Sequence, residues 1–210
     1  MKNNSHQING VFPSPVYIVK RDTILSPKER KEIGKIIKEG MYKNIGNSTS
    51  TNTYIFEENL KELKQFCEQQ LRIYVKDIIN PKKGVDFYIT QSWLNVTRPG
   101  EYHHVHAHQN SIISGVFYIS TEEDDKIVFT DPNTKVKDLI EVGFREYNTW
   151  NSTNWFVPAI TNELVLFPSW LSHKVEPNEK ATKDRISLSF NTFVKGALGK
   201  NDDLNELILK

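Results

Sequence analysis

Two periods divide the chain. Between about residues 26 and 80 apolar positions recur at three- and four-residue spacing, and from Phe87 onward they come in short runs alternating with polar residues. The first pattern belongs to helices that lay one face on a core, the second to strands. Ser26-Pro27-Lys28-Glu29 places Ser at a helix cap, Pro at the first helical position and Glu at the third, so a helix is expected from there to about Glu39, ended by Gly40. Leu60, Leu63, Cys67, Leu71, Tyr74, Val75 and Ile78 share one face of a second, longer helix that Asn80-Pro81 stops. Ahead of both, residues 11–20 (VFPSPVYIVK) read as an edge strand, because proline is tolerated there and not inside a ladder. The Asn-, Ser- and Thr-rich stretch 44–53 reads as a loop, leading into a short strand at Thr53–Phe56.

Beyond Phe87 the runs predict strands near 87–97, 102–108, 112–120, 126–130, 155–158, 163–168, 172–176 and 185–194. Short strands of this number, with helices only before them, suit a mainly β (α+β) fold: a double-stranded β-helix, the cupin-like jelly roll, with supporting N-terminal helices. One domain over 1–210 is expected, with 1–86 packing on the barrel and 87–195 forming it. Residues 131–154 make a polar insertion between strands that is placed to act as a lid.

Composition narrows the classes. Apolar residues at 38% fit a globular chain, and 27 basic against 26 acidic residues leave no basic tract to follow a phosphate backbone, so nucleic acid is not an expected partner. A single cysteine, Cys67, the absence of a signal-like segment in MKNNSHQING and the lack of a membrane-length apolar run point to a cytoplasmic protein, in a host cytoplasm if phage-encoded. The edge strand at 11–20 is available for pairing in a homodimer.

The chemistry concentrates in histidine. Four of the six histidines lie in Tyr102-His103-His104-Val105-His106-Ala107-His108. Along a strand His106 and His108 point the same way with Cα atoms about 7 Å apart, close enough to share an ion. His104 shares that parity one step further off. A third ligand, His173, opens the strand after the turn in Leu166-Phe167-Pro168-Ser169-Trp170-Leu171-Ser172-His173, where a barrel folds back on itself. In Arg185-Ile186-Ser187-Leu188-Ser189-Phe190-Asn191 the apolar residues take one face and Arg, Ser and Asn the other. That polar face is suited to line a pocket in which Arg185 grips a carboxylate by two parallel hydrogen bonds.

Gln91-Ser92-Trp93-Leu94-Asn95, His106-Ala107-His108 with Asn110-Ser111, Ser114-Gly115-Val116-Phe117-Tyr118-Ile119, Phe129-Thr130-Asp131-Pro132, Phe167 to His173 and Arg185-Ile186-Ser187 together resemble the Fe(II)- and 2-oxoglutarate-dependent oxygenase superfamily, in particular a branch found in bacteria and marine phages. The likeness spans 91–191, and extends more loosely to Ile45-Gly46-Asn47-Ser48. It implies Fe(II) held by His106, His108 and His173, and 2-oxoglutarate held by Arg185 with Ser187, Tyr118 and Tyr102. Dioxygen would be the second cosubstrate, in a hydroxylase whose primary substrate the residues do not name. Trp93, Asn95, Asn110 and Asn191 are further candidates for the pocket.

The family's usual carboxylate ligand is replaced here by His108. Three imidazoles leave the ion at +2, which a dianionic cosubstrate offsets. Asp131 stands as an alternative oxygen ligand or as the cap of the turn at Pro132. Three-histidine sites also belong to cupin dioxygenases that use no 2-oxoglutarate and to zinc hydrolases, and a metal-stabilised barrel without turnover would carry the same histidines.

Overall fold

In the computed structural model residues 7–58, 60–133 and 143–210 are described. Of the expected lid at 131–154, residues 134–142 lie outside them. After an exposed amino-terminal stretch come β1 (Tyr17–Lys20), α1 (Pro27–Glu39), β2 (Met41–Lys43), β3 (Ser48–Ser50) and α2 (Lys61–Tyr74). The barrel strands follow as β4 (Asp86–Thr97), β5 (His103–His106), β6 (Ile113–Ser120), β7 (Lys126–Thr130), β8 (Asn154–Pro158), β9 (Glu163–Pro168), β10 (His173–Val175) and β11 (Arg185–Leu198), and β12 (Leu207–Leu209) closes the chain.

These strands form two antiparallel sheets. The larger has the order β1-β9-β6-β11-β4-β3-β2, with β12 on the far end of β11, and the smaller is β5-β10-β7-β8. The chain passes repeatedly from one sheet to the other between β4 and β11, which is the winding of a double-stranded β-helix. The expected fold class is therefore the observed one. β1 does sit at a sheet edge, paired only with β9, but it starts at Tyr17 because Pro13 and Pro15 cannot donate to a ladder.

Each face of the larger sheet has a separate task. Leu94, Phe117, Leu164, Leu166, Leu188 and Phe190 point outward and are buried under Ile33, Ile36, Leu60, Leu63, Cys67 and Leu71 of the helical layer. Each such leucine removed from water contributes about 1.5–3 kcal/mol. Gly115 belongs to this packing, since a Cβ there would run into the Phe190 ring. The opposite face carries Val116, Tyr118, Val165 and Phe167, which meet Ile127 and Phe129 of the smaller sheet inside the barrel.

The capping box at Ser26 forms as expected, and its Glu29 does more than cap. The Glu29 carboxylate, 2% exposed, accepts the Ser26 and Leu63 N–H groups and pairs with Arg21 at 3.4 Å, so one side chain ties the starts of both helices. The second helix departs from expectation at its end. After Tyr74 it widens into a π-turn over Val75–Ile79 before Asn80 turns left-handed (φ 46°), and the added residue rotates Ile78 off the buried face to 45% exposure. The strand expected at Thr53–Phe56 is a 3-10 turn at Ile55–Glu57, while strands form just upstream, where β2 and β3 pair as a hairpin. Their sequences, MYK and STS, lack apolar alternation, and β3 is held instead by polar contacts such as Thr49 Oγ1–H to Asn95 Oδ1 at 3.0 Å. No helix among the described residues is long and apolar enough to cross a membrane.

Candidate metal centre

Three histidines from two neighbouring segments of the smaller sheet converge at its inner face. His173 opens β10 directly opposite His106 of β5, and His108, two residues past the end of β5, is held there by its N–H bond to Ser169 O at 2.9 Å. One ring nitrogen from each of His106, His108 and His173 lies within 4.8 Å of the others. The Nε2 atoms of His108 and His173 are 3.4 Å apart. Two nitrogens bound at about 2.1 Å to one tetrahedral ion stand at just such a separation.

The tautomers favour the same conclusion. His173 Nδ1 lies 3.0 Å from Leu171 O and His106 Nδ1 2.8 Å from His104 O. Only a protonated Nδ1 satisfies a carbonyl, so each ring presents a bare Nε2 lone pair to the centre, the arrangement that orients metal-binding imidazoles. Burial pushes the His173 imidazole down to about 3 and the His108 imidazole down to about 4, with repulsion from His106 adding to both. Burial lowers His106 as well. All three imidazoles are neutral at pH 7. The donor set, three clustered imidazoles of which two have the second nitrogen fixed by a carbonyl, fits a divalent transition-metal ion. Trp93 covers one side, its ring 5.8 Å from that of His108.

The cavity continues from this centre along the inner face of the larger sheet. On β11 Arg185 pairs with Thr97, Ser187 with Asn95 and Tyr118, and Ser189 with Trp93 and Val116, and all of these line the cavity. The polar face of β11 thus points inward while Ile186, Leu188 and Phe190 face the helices. Arg185 is buried, and its Nη1 lies 3.3 Å from Asp125 Oδ1. Asp125 is itself fixed, accepting the Glu122 N–H at 2.9 Å and an Asn178 Nδ2–H at 3.2 Å. Burial lowers the Arg185 pKa while the Asp125 carboxylate opposes that shift, and the remaining guanidinium N–H groups stay available to a ligand. Tyr118 is buried beside the pair, and burial raises its phenol.

Other sequence candidates land elsewhere. Tyr102 is 44% exposed and outside the cavity lining, because its N–H is drawn to Gly46 O at 3.0 Å and its ring lies over Gly46. Asn110 is an exposed left-handed turn residue (φ 53°), and Asn191 accepts a bond from Ser114 Oγ, also off the lining. Asp131 belongs to no ligand cluster among the described residues; its Oδ1 accepts the Asn133 N–H at 2.8 Å, the turn-capping role.

Four lining or supporting residues escape a reading by sequence. His103 lines the cavity because two residues of β5, His104 and Val105, stand against Lys174 alone of β10 between the pairs His173 with His106 and Val175 with His103, a bulge that alternation cannot reveal. Asn47, 1% exposed, lines it too, and its Oδ1 has no partner. Lys126 adds to the lining from β7, its ammonium paired with Glu176 at 3.5 Å. Asp125 sits in a turn sequence, Glu122 to Asp125, where one buried carboxylate cannot be told from three solvated ones.

Fold and site together define a jelly-roll barrel with a candidate metal centre, and comparison with known proteins narrows the class. Residues 91–191 match the family model described as "Putative 2OG-Fe(II) oxygenase". No curated protein matches the chain. Among solved structures, a prolyl-4-hydroxylase from Pseudomonas putida is similar at 14% identity and TM-score 0.54, over 85% of this chain and 92% of that one. HygX from Streptomyces hygroscopicus, solved with nickel, 2-oxoglutarate and hygromycin B bound, shares 10% identity at TM-score 0.56, covering 85% and 82%. A prolyl hydroxylase from Trichoplax adhaerens, in complex with a hypoxia inducible factor peptide, shares 12% at TM-score 0.56, covering 85% and 83%. At these identities the likeness is one of fold.

Proposed function

We propose that the chain is an Fe(II)- and 2-oxoglutarate-dependent hydroxylase. The observation that carries this reading is a single cavity with three clustered imidazole nitrogens and a buried arginine along its lining. His106, His108 and His173 would hold Fe(II) through Nε2. Arg185 would bind the far carboxylate of 2-oxoglutarate, with Ser187 and Tyr118 as neutral donors. HygX, of the same fold, is solved with nickel and 2-oxoglutarate, and a 2-oxoglutarate site here agrees with that precedent. The substitution of His108 for a carboxylate leaves the site at +2, and the dianionic cosubstrate brings it to neutrality.

When bound, the iron supplies activation of dioxygen coupled to oxidative decarboxylation: 2-oxoglutarate, O2 and R–H become succinate, CO2 and R–OH. The residues of the chain bind, orient and exclude. Asp125 keeps the guanidinium aimed along the cavity, and Trp93 shields the His108 side from water. Leu171 O and His104 O hold the second protons of two imidazoles, so that neither ring rotates away.

The test is succinate release from 2-oxoglutarate in the presence of Fe(II) and oxygen, with and without Arg185→Ala. Turnover that Arg185→Ala abolishes while iron binding persists is the expected result. A chain that binds iron tightly and has no affinity for 2-oxoglutarate rejects the reading.

A further inference from the structure

We propose that His103, His104 and His106 form a second position for a transition-metal ion, overlapping the first through His106, so that each chain holds one ion at either place and never two. One ring nitrogen from each of these three residues lies within 4.8 Å of the others. Their ring centroids are 4.4 Å apart for His103 and His106, 5.2 Å for His104 and His106, and 5.1 Å for His103 and His104. No hydrogen bond links these three imidazoles to one another, and each has a ring nitrogen to offer a shared cation.

A second observation points to a ligand. His104 Nδ1 is buried with no hydrogen-bond partner, a state that costs free energy unless something binds it. The β5 bulge supplies the third member, turning His103 to the side that His106 faces. His103 and His106 line the cavity, which gives an ion a way in. Three imidazoles with an open fourth place suit Zn(II), Co(II), Ni(II) or Cu(II).

Mutual exclusion follows from His106. Its Nδ1 is engaged by His104 O at 2.8 Å, which leaves Nε2 as its one free donor, and that atom cannot serve two ions. An ion resting on His103 and His104 therefore takes His106 from the first triad and leaves His108 and His173 as an incomplete pair. The second position is a parking place: an ion bound there is off the cosubstrate site, and an excess of zinc would compete for it.

Equilibrium dialysis with Co(II) alone, on the whole chain, tests this with no cosubstrate present. The His108→Ala/His173→Ala variant is expected to keep one Co(II) per chain, with a shifted visible spectrum, and adding His103→Ala should weaken that binding at least tenfold. The wild type should bind one ion. Loss of Co(II) from the double variant, retention of it after His103→Ala, or two ions per wild-type chain would each overturn the proposal. If the alanine variant loses the near-ultraviolet circular dichroism of the wild type, His108→Asn/His173→Gln carries the same measurement with the volume of both side chains kept.

Discussion

Inside the barrel the Arg185 guanidinium and the Asp125 carboxylate stand 3.3 Å apart, with side chains only 7% and 3% exposed. The carboxylate cancels the charge that the pocket offers an anion, yet fixes the direction of the fork. Asp125→Ala leaves a buried cation without its partner, a loss of about 3–5 kcal/mol of stability. Urea unfolding of the variant checks it, and a change below about 1 kcal/mol would mean that water takes the place of the carboxylate.

Asn47 offers the cavity an amide whose Oδ1 has no bond. Continuing the β3–β4 register, Ser48 with Val96 and Thr49 with Asn95, sets Asn47 beside Thr97, and Thr97 pairs with Arg185. The three residues form a row across neighbouring strands. The amide can turn to donate Nδ2–H to a carboxylate, since its orientation follows the hydrogen bonds on offer. Asn47→Ala is expected to weaken 2-oxoglutarate binding about tenfold, roughly 1.4 kcal/mol, with ion affinity unchanged. Anaerobic calorimetry with Mn(II) in place of iron measures both.

His108→Asp restores the usual carboxylate of such barrels at the place where a neutral ring now stands. The variant is expected to bind the ion still, because His106 and His173 retain their carbonyl-fixed tautomers. Metal content after dialysis reads this directly, and complete loss of iron would show that the third imidazole is indispensable.

Acid should destabilise the metal-free chain well above the carboxylate range. The imidazoles of His103, His108 and His173 take up a proton near pH 6.5 when unfolded, but only at about 3, 4 and 3 when folded, chiefly because burial disfavours their charge. Between those limits the unfolded chain binds more protons, so stability is full above about pH 6.5 and falls as pH drops towards 3. Urea midpoints at about pH 7.5 and about pH 5 should differ in that direction, and the difference should shrink in a His103→Gln variant.

The barrel was legible because both faces of β11 and the capped helices follow simple periods. Ile186, Leu188 and Phe190 meet the helical layer while Arg185, Ser187 and Ser189 meet the cavity, as the alternation requires. His106, His108 and His173 are brought together too, although His108 reaches the centre from beyond its strand rather than along it. What stayed hidden depends on register and on contacts distant in sequence. His103 turns inward through an extra residue, Asn47 precedes a strand without apolar residues, and Asp125 is distinguished from Asp124 by partners distant in sequence, the arginine 60 residues away among them.

The uneven match of β5 against β10 makes the placing of the rings on this four-residue segment depend on its length. Deleting Val105 would even out the ladder, keep His103 and His106 on one side opposite Val175 and His173, and set His104 on the other by ordinary alternation. A residue lost from the exposed turn at 143–152 would change no donor at all. Insertions and deletions in relatives of this chain should therefore gather in that turn and spare the histidine strand.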